Sequence, residues 1–164
     1  MPIAMYRIDD RLIHGQVVVG WGQPLNLRFI VLVDDDVAVS DWEQELYRMG
    51  VPPHMSVYFH DVASAATALA GYQTDARPGV VIAADIGTMA RLVDESHGTI
   101  HAVNVGGVHH APGRTPRLRY VFLTNAEEQA LRTIALRGVT VSAQDVPSAR
   151  PVPLEELLSS TLDA

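Results

Sequence analysis

The chain has 164 residues, a formal net charge of −7 at pH 7 and no cysteine, and all 12 of its basic residues are arginine. Without cysteine, disulfides, thiolate zinc sites and Cys nucleophiles are excluded; without lysine, a Walker-type P-loop and Schiff-base chemistry are excluded too. The acidic balance speaks against DNA and RNA as partners, since nonspecific nucleic-acid binding needs a basic face to displace counterions.

One domain spanning 1–164 is the expectation at this length. No apolar run approaches the roughly 20 residues that cross a bilayer. Met1-Pro2-Ile3 lacks a basic stretch followed by an apolar one, so neither an export leader nor an anchor is expected, and the predicted location is cytoplasmic.

Ile3 to Arg7 is predicted as the first strand, followed by the polar loop Ile8-Asp9-Asp10-Arg11-Leu12-Ile13-His14-Gly15. Gly15 to Trp21 is ambiguous by propensity, since its three valines favour a strand, but a short helix ending before Gly22 fits better because Pro24 forces a break and Phe29 to Val33 then reads as a buried strand. Asp34-Asp35-Asp36 closes that strand, and Ser40 with Glu43 three residues on predicts a capping box for a helix to about Met49. Met55–Phe59 is the third predicted strand, Val62–Ala70 an Ala-rich helix stopped by Gly71, and Val80–Ala84 the fourth strand. Thr88–Glu95 follows as a helix, Ile100–Val105 as the fifth strand, and Gly106-Gly107 as a tight turn. Val108 to Arg117 is predicted as a loop before a strand near Leu118–Leu123, and Ala126–Arg137 as an amphipathic helix ended by Gly138. Val139–Val141 starts a last strand, Val146 to Pro153 is a rigid connector, and Leu154–Leu158 a small terminal helix.

Apolar strands alternating with helices of about ten residues predict an α/β fold, a mainly parallel central sheet with helices on both faces. Ligands of such sheets bind beyond the carboxyl ends of the strands. The loops at Arg7–Gln16, Asp34, Asp85 and Asn104–Arg114 all follow strands and open on that edge.

Within the first loop, His14 has Arg11 three residues before it and Gly15 after it, where backbone can approach an anion closely. A phosphoryl group on His14 would meet the Arg11 guanidinium and the N–H groups of the nearby helix start. Asp9 or Asp10 could accept the other ring N–H and leave one nitrogen free to attack. A histidine at a helix start also serves as a cap or a surface residue, so these residues alone leave its role open. His109-His110 could be metal ligands, although adjacent residues diverge and no third ligand is evident. Asp34–Asp36 could hold Mg2+ or form a solvated turn, which with the histidine pair sketches a metal-dependent hydrolase as a third reading. Gly106-Gly107 lacks the G-x-G-x-x-G spacing of a dinucleotide site.

The run Arg7-Ile8-Asp9-Asp10-Arg11-Leu12-Ile13-His14-Gly15-Gln16-Val17, with Trp21 after it, resembles the N-terminus of the IIB component of the mannose/fructose/sorbose family of the bacterial sugar phosphotransferase system. The similarity continues through Val33-Asp34-Asp35, Ala38, Val103-Asn104-Val105-Gly106-Gly107, Gly138-Val139 and Val146-Pro147. The resemblance implies that His14 takes a phosphoryl group, on Nδ1, from the phosphohistidine of a IIA protein. It then passes the group to a sugar brought in by membrane IIC and IID components. Arg11 matches the arginine that supports the phosphohistidine, and Asp10 falls in the same motif. Arg7, Gly15, Asp85, Asn104, Gly106 and Gly107 are the expected phosphate and substrate pocket. No cofactor or metal is implied, and the chain would sit at the cytoplasmic side of the permease. With no IIA segment in these residues, the expected donor is a separate chain, while homo-oligomer formation and the sugar stay open.

Two stretches depart from the family pattern: Ala83-Ala84-Asp85-Ile86-Gly87, where relatives have a bulky residue and a Pro-containing turn, and His109-His110 with Pro112. A non-catalytic module that senses phosphorylation on the same fold is the alternative reading.

Overall fold

The computed structural model describes residues 3–160. Nine strands, β1 (Ile3–Asp9), β2 (Phe29–Val33), β3 (Ser56–His60), β4 (Gly79–Ala83), β5 (Ala102–Gly107), β6 (Thr115–Leu118), β7 (Val121–Leu123), β8 (Thr140–Ala143) and β9 (Val152–Pro153), alternate with helices. The helices are α1 (Asp41–Met49), α2 (Val62–Gln73), α3 (Ile86–Glu95), α4 (Asn125–Leu136) and α5 (Leu154–Ser159), with a π-helical turn at Gln16–Trp21 and a 3-10 turn at Val37–Val39.

Seven strands form one sheet in the order β3-β2-β4-β1-β5-β8-β9, parallel throughout except for β9, which runs antiparallel to β8. The expected α/β architecture with a mainly parallel sheet is therefore the one observed. Val31, Val33, Val81, Ile8 and Val105 pack on one face against Leu69 of α2, Met89 of α3 and Leu131 of α4. On the other, Ile30, Leu32, Val80 and Ile82 pack against Val17, Val18 and Trp21 of the π-helical turn. Successive strand residues alternate between faces, so strands that are apolar at every position feed both cores at once.

From β1 the chain leaves toward β2, two places to one side, whereas from β5 it leaves toward β8 on the other. The carboxyl ends of β1 and β5 thus flank the point where connections diverge, the place where such sheets open a crevice.

Several expectations need correction. β1 extends two residues beyond Arg7, so Asp9 is fixed in the sheet rather than free in a loop. Ser40 makes no side-chain cap to α1, and its carbonyl simply accepts the Gln44 N–H. The capping box in the structure belongs to α4, where Thr124 and Glu127 bond reciprocally. Gly106 and Gly107 lie inside β5 and not in a turn, and the stretch predicted as a loop before one strand folds as the β6–β7 hairpin. No helix among the described residues is long and apolar enough to cross a membrane.

Gly71 was expected to end α2, yet the helix runs on to Gln73, and a methyl group added at Gly71 would meet nothing within 4 Å. Gly71→Ala is expected to raise stability by about 0.5–1 kcal/mol, because alanine loses less backbone freedom on entering a helix. Gly138, at φ +84°, needs the left-handed region, and Gly138→Ala is expected to cost about 1 kcal/mol. Thermal unfolding of the two variants should therefore move in opposite directions from the parent.

Candidate functional site

Asp9 occupies the last position of β1, and its side chain is 0% exposed. Its Oδ1 accepts the backbone N–H and the Nε–H of Arg11, each at 3.1 Å. Its Oδ2 accepts Nη2 of Arg7 at 3.1 Å, Nη2 of Arg11 at 3.1 Å and Nε2 of His14 at 3.0 Å. Those donors saturate a carboxylate, which has about four lone-pair sites. Burial alone would favour the neutral acid, but the hydrogen bonds from His14 and Arg11 and the charge of Arg7 prevail and hold Asp9 well below the usual carboxylate range.

An ionised Asp9 has no proton to give, so the hydrogen between it and His14 is carried by Nε2. In the neutral imidazole the other nitrogen, Nδ1, then keeps its lone pair. The His14 side chain is 18% exposed, enough to be reached from the edge of the sheet. Of the two aspartates weighed for this task, Asp9 performs it.

Arg11 closes over the same carboxylate, and its Nη2 also donates to Oε1 of Gln16 at 2.8 Å. Its side chain stays 37% exposed, presenting a cation held in a fixed fork beside His14. Between Arg11 and His14 the backbone turns through Leu12 at φ 57°, a strained conformation for a branched residue. The turn is tied by a Leu12 N–H bond to the Asp9 carbonyl, and the Leu12 side chain is buried. The amides of Val17 and Val18 both donate to the His14 carbonyl, which anchors the histidine to the start of the π-helical turn.

Arg7 was expected in the pocket itself and is instead sealed beneath it, 0% exposed. Its Nη1 donates to Oδ1 of Asn104 at 2.8 Å and to the Gln144 carbonyl, and its Nη2 to Asp9 and the Asp145 carbonyl. The Trp21 ring lies 5.5 Å from the guanidinium carbon, and its Nε1 donates to the Asp145 carbonyl at 2.9 Å. Asn104 therefore serves Arg7. Gly106 does too: a Cβ there would lie 2.0 Å from the Arg7 guanidinium carbon. Gly107 has the same relation to the next layer, with Asp9, His109 and Arg11 atoms at 3.0–3.3 Å from where its Cβ would be.

The remaining expected residues divide. Gly15 is exposed and open. Asp10 makes no hydrogen bond to His14; both of its oxygens hold His109. Asp85 caps α3 through the Thr88 N–H and makes no hydrogen bond to Arg11 or His14. Asp34 accepts the amides of Asp36 and Val37, while Asp35 holds the Val62 amide and Arg91. His109 and His110 diverge, the latter edge-on to Phe122. Among the described residues no group of three or more His, Asp or Glu side chains is placed to hold a metal ion. Trp21, Gln144 and Asp145 were missed as supports because two of them act through backbone carbonyls, which any residue has.

A family model described as "PTS system sorbose subfamily IIB component" matches residues 3–163. The sorbose-specific EIIB component of Klebsiella pneumoniae is 30% identical over 98% of this chain and 98% of that one. The mannose-specific EIIAB component of Escherichia coli is 28% identical over 97% of this chain, which spans only 49% of its length. Among solved structures, the IIBSor domain of the Klebsiella pneumoniae sorbose permease superposes with a TM-score of 0.86 at 27% identity, covering 99% of this chain and 100% of that one.

Because Asp9 binds protons less readily folded than unfolded, its contribution to stability is complete above the unfolded carboxylate value, about 3.9, and is lost as pH falls below it. Urea unfolding between pH 5 and pH 2.5 should show this loss, with a flatter profile for Asp9→Asn. Gly106→Ala should destabilise by about 1–3 kcal/mol at neutral pH, since its methyl group competes with the buried guanidinium.

Proposed function

Since the chain belongs to the sorbose-subfamily IIB components of the phosphotransferase system, we propose that His14 is a phosphoryl carrier, loaded on Nδ1 from a IIA phosphohistidine and unloaded onto a sugar hydroxyl. The observation that carries this reading is the Asp9–His14 hydrogen bond, which consumes Nε2 and leaves Nδ1 as the nucleophile beside Arg11.

Loading is an in-line displacement. The Nδ1 lone pair forms the new P–N bond, and the old P–N bond returns its electrons to the donor histidine. His14 gains positive character in this step, and the buried Asp9 carboxylate stabilises it through Nε2–H. Arg11 offsets the charge on the phosphoryl oxygens. Its orientation is prepaid by three hydrogen bonds to Asp9, so little reorganisation is needed at the moment of transfer. Unloading reverses the roles: the sugar hydroxyl oxygen attacks phosphorus as its proton passes to solvent, the P–N bond returns its electron pair to Nδ1, and His14 leaves as the neutral tautomer, its Nε2–H still on Asp9. The chain would work at the cytoplasmic face of membrane IIC and IID components, and the choice of sugar would lie largely with them.

Incubation with phosphorylated IIA partner should add one acid-labile phosphoryl group by mass spectrometry, and none to His14→Ala. Arg11→Ala is expected to slow loading by at least about tenfold through lost charge stabilisation. Arg11→Lys should restore little, because an ammonium cannot reproduce the fork that grips Asp9. Equal loading of His14→Ala and parent would overturn the reading.

A further inference from the structure

His109 is fixed to a degree unusual for a half-exposed loop residue. Its backbone N–H donates to Oδ2 of Asp10 at 2.7 Å, and its ring Nδ1 meets Oδ1 of the same carboxylate at 2.7 Å. Its carbonyl accepts Nη1 of Arg114 at 2.7 Å, and Arg114 is locked to Glu127 by two further bonds at 3.0 and 2.9 Å. Glu127 is itself the N3 residue of the α4 capping box. Three elements therefore converge to aim one imidazole whose side chain is 41% exposed.

Its surroundings say where it is aimed. Above Gly107, Asp9 Oδ1 at 3.0 Å, His109 Cε1 at 3.0 Å and Arg11 Nη2 at 3.3 Å converge on the position a Cβ would take. His109 thus stands beside Asp9 and Arg11, the two residues that flank His14. With Nδ1–H on Asp10, the ring nitrogen left without a protein partner among the described residues is Nε2.

We propose that His109 is a second phosphoryl-binding residue, donating Nε2–H as an imidazolium to an oxygen of the phosphoryl group carried by His14, with Asp10 as its orienting carboxylate. The inference rests on His14 carrying that group. It gives Asp10 a task other than contact with His14, and it explains why one carboxylate holds both the backbone N–H and the ring of an exposed residue. The charged groups around the ring are Asp9, Asp10 and Arg11 from the end of β1, Arg114 from its own loop backed by Glu127 of α4, and the neighbouring His110. A phosphoryl dianion on His14 would join Asp10 in favouring the imidazolium over the opposition of Arg11. By linkage, a proton on His109 strengthens retention of the phosphoryl group by the same factor that the phosphoryl group strengthens the proton.

The test uses the full chain with 15N-labelled histidine, phosphorylated by phosphoramidate, with each ring followed by long-range proton–nitrogen spectra across a pH series. The expected result is a rise of about tenfold in the proton affinity of His109 when His14 carries phosphoryl, with the exposed His110 moving less than about twofold. Neither change should occur in His14→Ala treated identically, and in the fraction of Asp10→Asn that carries phosphoryl the His109 response should shrink. Equal responses of His109 and His110, or none at His109, would overturn the inference while leaving His14 as carrier. Failure of His14 to take phosphoryl from either phosphoramidate or a IIA protein would bring down the reading beneath it as well.

Discussion

Everything at the edge of this sheet depends on one buried carboxylate. Asp9 is ionised, inaccessible and bound by Arg7, Arg11 and His14 together. Removing a carboxylate from such a cluster leaves a buried guanidinium uncompensated, a defect that costs several kcal/mol. The cluster is therefore maintained only where the rest of the fold supplies the remaining partners. Asn104, Gln144, Asp145 and Trp21 do so around Arg7, drawn from the middle of β5, the loop after β8 and the π-helical turn. Sequence separations of up to 138 residues within one hydrogen-bonded set mean that the site exists only once the sheet is complete.

This layered arrangement separates two jobs that a single arginine could not combine. Arg7 is wholly enclosed and neutralises Asp9 from below, so it fixes the carboxylate without competing for a ligand. Arg11 binds the same carboxylate from above and retains an exposed face. The two glycines at the end of β5 are the steric counterpart: the space over Gly106 holds the first guanidinium, and the space over Gly107 borders the second. In the proposed phosphoryl transfer little covalent chemistry would fall to the protein, so a rigid array of donors and charges of this kind would be its main contribution.

The sheet was legible from the sequence because β2 and β4 at its centre carry no polar side chain and its strands are bounded by Gly, Pro and Asp, a pattern that few alternatives satisfy. The face of β1, β5 and β8 that carries Arg7, Asn104 and Ser142 breaks that pattern, and hydrophobic periodicity has no means of foreseeing a buried arginine on a sheet. Arg7 accordingly looked like a pocket residue, when its partners are backbone carbonyls that no side-chain motif reveals. The choice between Asp9 and Asp10 was undecidable for a related reason: adjacent residues at a strand end point to opposite sides, and the extent of β1 settles which side each takes. The capping box misassigned to Ser40 shows the same limit, since Thr124 and Glu127 carry an equally good signature and are the pair that forms.

The central claim is that Asp9 selects the reactive nitrogen of His14. It is tested most directly by locating the phosphoryl group on the ring, through phosphorus–nitrogen coupling in the 15N-histidine-labelled protein loaded by its IIA donor. The account predicts coupling to Nδ1, with Nε2 still protonated and bonded to Asp9. A phosphoryl group found on Nε2 would contradict it, because that nitrogen would have had to abandon the carboxylate around which the site is built.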